Sequence, residues 1–105
     1  GNLGNRGGFA QLATMVREAQ AECAPACATL VLSGGDLFTG TPPSDLTKGA
    51  LVVPVLNAMG FAAHALGNHE FDYGQDTLRV RMRQLTAPIL GANVTYADGR
   101  DVEWI

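Results

Sequence analysis

Charge is scarce in this chain. Only 16% of its 105 residues are charged, and seven basic side chains stand against ten acidic ones, for a net charge of −3. Without a surplus of Lys and Arg, neither an unstructured nucleic-acid-binding arm nor a polybasic membrane anchor is supported. Long apolar runs are missing too, and none approaches the roughly 20 residues needed to cross a bilayer. The opening GNLGNRGG has neither the basic start nor the apolar stretch of a signal peptide. Cysteine is nearly absent: two residues do not make a disulfide scaffold, and a lone Cys-x-x-x-Cys pair is a poor metal site. What remains is a chain that is 47% hydrophobic, the composition of one small folded domain burying about 65% of its unfolded surface.

Cys23 and Cys27 flank Ala24-Pro25-Ala26, and a proline-bent turn can bring two Cα atoms within bridging distance. A local disulfide and two free thiols both fit that spacing. A bridge would close only a tiny loop, for about 2 kcal/mol on the chain-entropy formula.

Hydrophobic period predicts the elements. Phe9, Leu12, Ala13 and Val16 fall on one face of a helix over 9–22, preceded by Gly7-Gly8 and stopped by Pro25. Thr29–Leu32 is a short apolar run with the length of a strand buried on both faces, as in a parallel sheet. Residues 36–44 read as an aperiodic Gly/Thr/Pro loop. A helix starting near Thr47 or Lys48, with the stripe Leu51, Val52, Val55, Leu56 and Met59, runs to Met59 and is closed by Gly60, with Pro54 kinking it or delaying its start. Phe61–Leu66 reads as a strand, 67–74 as a polar loop, Gln75–Leu85 as a helix with Leu78, Met82 and Leu85 inward, and Pro88–Ala92 as a third strand. A turn at Asp98-Gly99 would lead into a fourth strand. Alternating helix and strand predicts an α/β fold of parallel β-α-β units with right-handed crossovers. Loops 33–44 and 67–74 then share the carboxyl-end rim of the sheet, where open α/β folds bind ligands. The ends of the chain suggest a piece of a domain, since no strand precedes the first helix and Trp104-Ile105 ends the chain on apolar residues.

The chemistry-bearing residues lie in those two loops. Asp36 follows Gly34-Gly35, which permit close backbone approach to a ligand; Asn68 adds a neutral oxygen suited to a hard or borderline divalent cation. His69 can ligate a metal, donate a proton or stabilise phosphoryl charge, and Asp72 can hold its ring in the protonated form. Simpler roles fit the same spacing. Asp36 and Asn68 can shape their turns, and Asp72 can cap the helix that begins near Gln75. His64 reads as a packing or surface residue. Arg79 and Arg83 share a helical face from which Arg81 points away, so the three do not form one phosphate patch. Tyr73 occupies the position where a zincin motif would need its second histidine.

Four stretches, in order, carry a resemblance: GGFAQLATMV (7–16), SGGDLFTGTPPSDLTKG (33–49), LNAMGFAAHALGNHEFDYG (56–74) and APILGANV (87–94). Together they resemble the 5′-nucleotidase branch of the calcineurin-like metallophosphoesterases, which includes UDP-sugar hydrolases and 2′,3′-cyclic nucleotide phosphodiesterases. The resemblance implies that 1–105 is part of a layered α-β-β-α catalytic domain. It also implies that Asp36 bridges two divalent metal ions (Mn, Zn, Mg, Fe or Co), Asn68 ligates one, and His69 with Asp72 forms a catalytic dyad. The implied reaction is hydrolysis of a nucleotide or other small phosphoester by a metal-activated water, with the two ions clamping the phosphoryl group. The implied location is periplasmic, secreted or cell-surface. No nucleic-acid polymer or membrane partner is expected. The family's upstream Asp-x-His, later histidine motifs and C-terminal nucleotide-binding domain are not in these 105 residues. The rest of a parent chain would therefore complete the site, and the fragment alone would be inactive. Thr39 stands where relatives often have Gln, and Pro54 is unusual for the second helix. Thiosulfate-ester hydrolysis, on a similar GGFA start, and a non-catalytic α/β interaction module are the alternatives. The GNHEFD motif favours the nucleotidase side.

Overall fold

The structure is a computed structural model that describes residues 7–105; the GNLGNR opening, part of the stretch tested above for a signal peptide, lies outside the described residues. Helix α1 spans Phe9–Cys23 and ends where Ala24 turns to extended backbone. Phe9, Ala13 and Val16 are half-buried on its apolar side, but no residue of α1 is fully buried, and Leu12 and Met15 stay exposed. The ambiguity at the turn is resolved: Cys23 and Cys27 are disulfide-bonded, with Cα atoms 5.3 Å apart.

Strand β1 (Leu32–Ser33), β2 (Ala63–Ala65) and β3 (Ile89–Leu90) form a parallel sheet in the order β1-β2-β3. Ser33, His64 and Ile89 are in register on one face, and His64 and Ile89 are buried there. The opposite face carries Leu32, Ala65 and Leu90, with Leu32 60% and Leu90 57% exposed. This corrects the expectation of a first strand buried on both faces. Four apolar residues in a row do not reveal whether a second layer covers them, and here Leu32 and Leu90 stay exposed.

The core lies on the other side, between the sheet and helices α3 (Val52–Met59) and α4 (Gln75–Gln84). Phe38, Leu56 and Leu78 are each 1% exposed at its centre, with Val52, Val53, Leu85 and Ile89 around them. Pro54 sits in the first turn of α3, where its missing N–H costs no helical bond, and this fixes the later start. Helix α3 ends at Gly60 in the left-handed conformation. Starting at Val52 also rotates the predicted stripe, so that Val53 is buried and Leu51 exposed. Two further expectations are corrected. The 36–44 loop runs into a short helix α2 (Pro42–Leu46), because prolines at its first positions are preset for helix. Beyond β3 there is no fourth strand among the described residues, only an isolated antiparallel bridge between Thr95 and Asp101 around the Asp98-Gly99 turn. Among those residues no helix is long and apolar enough to cross a membrane.

Candidate functional site

Two loops meet at the carboxyl ends of β1 and β2. Their backbones approach so closely that a Cβ on Gly35 would lie 2.7 Å from the Gly67 amide nitrogen, and one on Gly67 would collide with the Asp36 carboxylate. Only glycine fits at either position. Asp36 itself adopts φ +57°, in the left-handed region that Asp tolerates better than most side chains. Its Oδ1 accepts a hydrogen bond from the backbone N–H of His69 at 3.0 Å. The first loop is thereby tied to the second, and the Asp36 carboxylate comes beside Asn68 and His69.

Residues His69–Phe71 form a 3₁₀ turn that projects His69 and Asp72 to the same side. Nδ1 of His69 lies 2.8 Å from Oδ2 of Asp72, with both side chains about half exposed. The Asp72 hydrogen bond and its negative charge raise the His69 pKa above 6.5, so the imidazolium is favoured with Nε2–H pointing away from Asp72. Asp72 does not cap α4. The cap position belongs to Gly74, which offers no side-chain hydrogen bond.

The structure brings Asp36, Asn68, His69 and Asp72 to one rim, as the sequence led us to expect. It leaves His64 apart, buried at 1% exposure against Phe61. Arg81 is also apart, donating to the Lys48 and Thr47 carbonyls, and Arg79 stacks over Trp104. Sequence reasoning missed Glu70. Its side chain is 1% exposed, and its carboxylate accepts hydrogen bonds from the backbone amides of Asp36, Leu37 and Gly67. Spacing alone marks it only as a polar loop residue. Tyr73, which the sequence marks only as excluding a zincin motif, also belongs here. Its hydroxyl donates to Asp45 at 2.6 Å, which pushes its pKa up to about 12 and links α2 to this rim.

As a cation site the arrangement is partial. Asp36 Oδ2 and the Asn68 amide are suitable oxygen donors. No group of three or more His, Cys, Asp or Glu side chains able to hold a metal occurs among the described residues.

No protein-family model matches the chain. The fold is similar to YfkN of Bacillus subtilis, a calcineurin-like phosphoesterase, with a TM-score of 0.68 and 32% identity over 88% of this chain and 29% of that one. Fold and loop motifs place the described residues in the calcineurin-like phosphoesterase class. Within that class the chain is a relative of the 5′-nucleotidase branch. It is 40% identical over 88 residues to a 5′-nucleotidase of Vibrio vulnificus, covering 83% of this chain and 16% of that protein. It is also 40% identical over 89 residues to the snake venom 5′-nucleotidase of Gloydius brevicauda, covering 84% and 15%. The chain thus spans about one sixth of the length of the curated relatives it matches.

Proposed function

We propose that this chain is part of the catalytic domain of a metal-dependent phosphoester hydrolase acting on nucleotides, in the manner of a 5′-nucleotidase. The observation that carries this reading is the His69–Asp72 pair at 2.8 Å, set beside the Asp36 carboxylate where two strand-end loops converge. Asp36 and Asn68 would hold divalent metal. Such ions supply Lewis-acid stabilisation of phosphoryl charge when bound. Asp72 fixes the His69 ring with Nδ1–H toward itself and favours the protonated imidazole. Nε2–H of His69 is then free to donate to a phosphoryl oxygen as negative charge develops there. The remaining metal ligands and the nucleoside-binding surface belong, on this reading, to other parts of a longer parent protein. The Cys23–Cys27 disulfide supports a periplasmic, secreted or cell-surface setting, since disulfides persist in oxidising compartments.

The test is phosphate release from AMP by the full-length protein carrying this segment, with Mn²⁺ supplied. Turnover on the order of 10 s⁻¹ that Asp36→Ala abolishes is expected. No release from AMP, UDP-glucose or 2′,3′-cyclic AMP with any of Mn²⁺, Zn²⁺, Mg²⁺ or Co²⁺ would overturn the reading.

A further inference from the structure

Glu70 is a fully buried carboxylate, and among the described residues no Lys or Arg pairs with it. Burying an unpaired carboxylate is costly unless strong donors replace its water. Here three backbone amides do so. Oε2 accepts from Asp36 N–H at 2.9 Å and Gly67 N–H at 2.7 Å, and Oε1 accepts from Leu37 N–H at 2.5 Å. Bonds from neutral amides to a carboxylate are charge-assisted and stronger than neutral ones. The donors come from both loops, 33 and 34 residues away in one case and three in the other. Glu70 therefore joins the ends of β1 and β2 from beneath the rim.

That join bears on Asp36. A left-handed conformation costs a non-glycine residue about 1–2 kcal/mol and persists only where its surroundings over-determine it. Glu70 binds the amide of Asp36 and the next one along the chain, which are the two peptide groups that set this conformation. Once held so, Asp36 turns its Oδ1 to the His69 amide. The circuit runs from Glu70 to the Asp36 backbone, from the Asp36 carboxylate to the His69 backbone, and back along the chain to Glu70.

We infer that Glu70 is a positioning residue, which sets the Asp36 carboxylate against Asn68 and His69 by gripping the backbone amides of both loops. The inference rests on the reading under Proposed function and assigns Glu70 no contact with substrate. Glu70→Gln keeps the volume but replaces one accepting oxygen with an NH₂ group. Because both oxygens are in use, at least one amide must face a donor instead of an acceptor.

The experiment compares wild type, Glu70→Gln and Asn57→Ala in the full-length protein, reading Mn²⁺ affinity by calorimetry, kcat and KM for AMP, and the thermal midpoint. Asn57 is the control, joining α3 to the end of α4 through Gln84 O and the Thr86 amide, away from the rim. Glu70→Gln should weaken Mn²⁺ binding by about 10–100-fold, the usual effect of removing a partner that orients a metal ligand. It should also lower kcat at saturating Mn²⁺ while KM for AMP changes little. Asn57→Ala should lower the midpoint and leave Mn²⁺ affinity and kcat unchanged. If Glu70→Gln lowers only the midpoint, the residue is structural and the inference falls while the proposed function stands. If wild type neither binds Mn²⁺ nor releases phosphate, the proposed function and this inference fall together. Should Glu70→Gln not fold, Glu70→Asp keeps the charge but retracts it by one methylene, and the same readings decide: unchanged Mn²⁺ affinity and kcat overturn the inference.

Discussion

His69 illustrates how much one neighbour can decide. On its own an imidazole near pH 7 is mostly neutral. With Asp72 at 2.8 Å its pKa rises, so the pairing stabilises the fold fully below pH 6.5 and loses that contribution as pH climbs through the raised value. If protonated His69 is the form that acts, kcat of the parent enzyme should fall on the alkaline side, and Asp72→Asn should move that limb to lower pH while reducing the rate. A pH–rate profile of the two proteins checks the direction. His69→Ala should cut kcat by about 10²–10³-fold, as removal of a single preorganised donor does elsewhere. Its metal content should stay near wild type, whereas Asn68→Ala should lose metal. Metal analysis beside kinetics would show the roles reversed if the histidine variant is the one stripped.

Elements carry the stability, and they carry it unevenly. Helix α4 places Leu78 at the centre of the core, so Leu78→Ala should cost about 2–5 kcal/mol in urea unfolding. Helix α1 buries no residue fully, so Met15→Ala on its exposed side should change stability by less than about 0.5 kcal/mol. Strand β2 contributes a different effect through His64. Burial lowers its pKa, outweighing the nearby Glu70 charge, and its Nδ1 has no hydrogen-bond partner among the described residues. With its pKa lowered by burial, folded His64 takes up a proton less readily than the unfolded chain, so its contribution is held above pH 6.5 and is lost as pH falls below it. Unfolding free energies measured from pH 7.5 to 5 should show this slope, and His64→Leu should flatten it.

At the scale of the whole molecule, the apolar residues of the sheet are buried unevenly among the described residues. Leu30, Leu32 and Leu90 are each more than half exposed on or next to the side away from the core. The rim likewise presents one carboxylate and one amide for a cation, short of the donor set a two-ion site needs. The 105-residue chain alone, incubated with AMP and Mn²⁺, should therefore turn over far below the roughly 10 s⁻¹ typical of an enzyme. Rates in that range from the purified segment, abolished by Asp36→Ala, would show that these residues suffice.

Features that depend on near neighbours along the chain were legible in the sequence. Periodicity located α1 and α4 almost to the residue and Gly60 marked the end of α3, whose start falls at Val52 rather than near Thr47 or Lys48; the apolar runs marked three parallel strands, the first of them shifted to Leu32–Ser33. Because strands in β-α-β order send their following loops to one rim, the loops bearing Asp36 and Asn68–Asp72 could be placed together before any coordinates. Tertiary structure decided what depends on distance between remote segments. Leu30 and Leu32 read as buried because hydropathy reports preference, while exposure depends on whether another layer is present. The 96–105 segment reads as a turn around Asp98-Gly99 entering a fourth strand, but a turn followed by a single bridge does not give a chain the neighbour a ladder requires. Cys23 and Cys27 fitted two states in the sequence, and only the folded turn brings their Cα atoms to 5.3 Å, within bridging distance. Glu70 was hidden for the same reason: the Asp36 and Leu37 amides it binds are 34 and 33 residues away, and only folding brings them within reach.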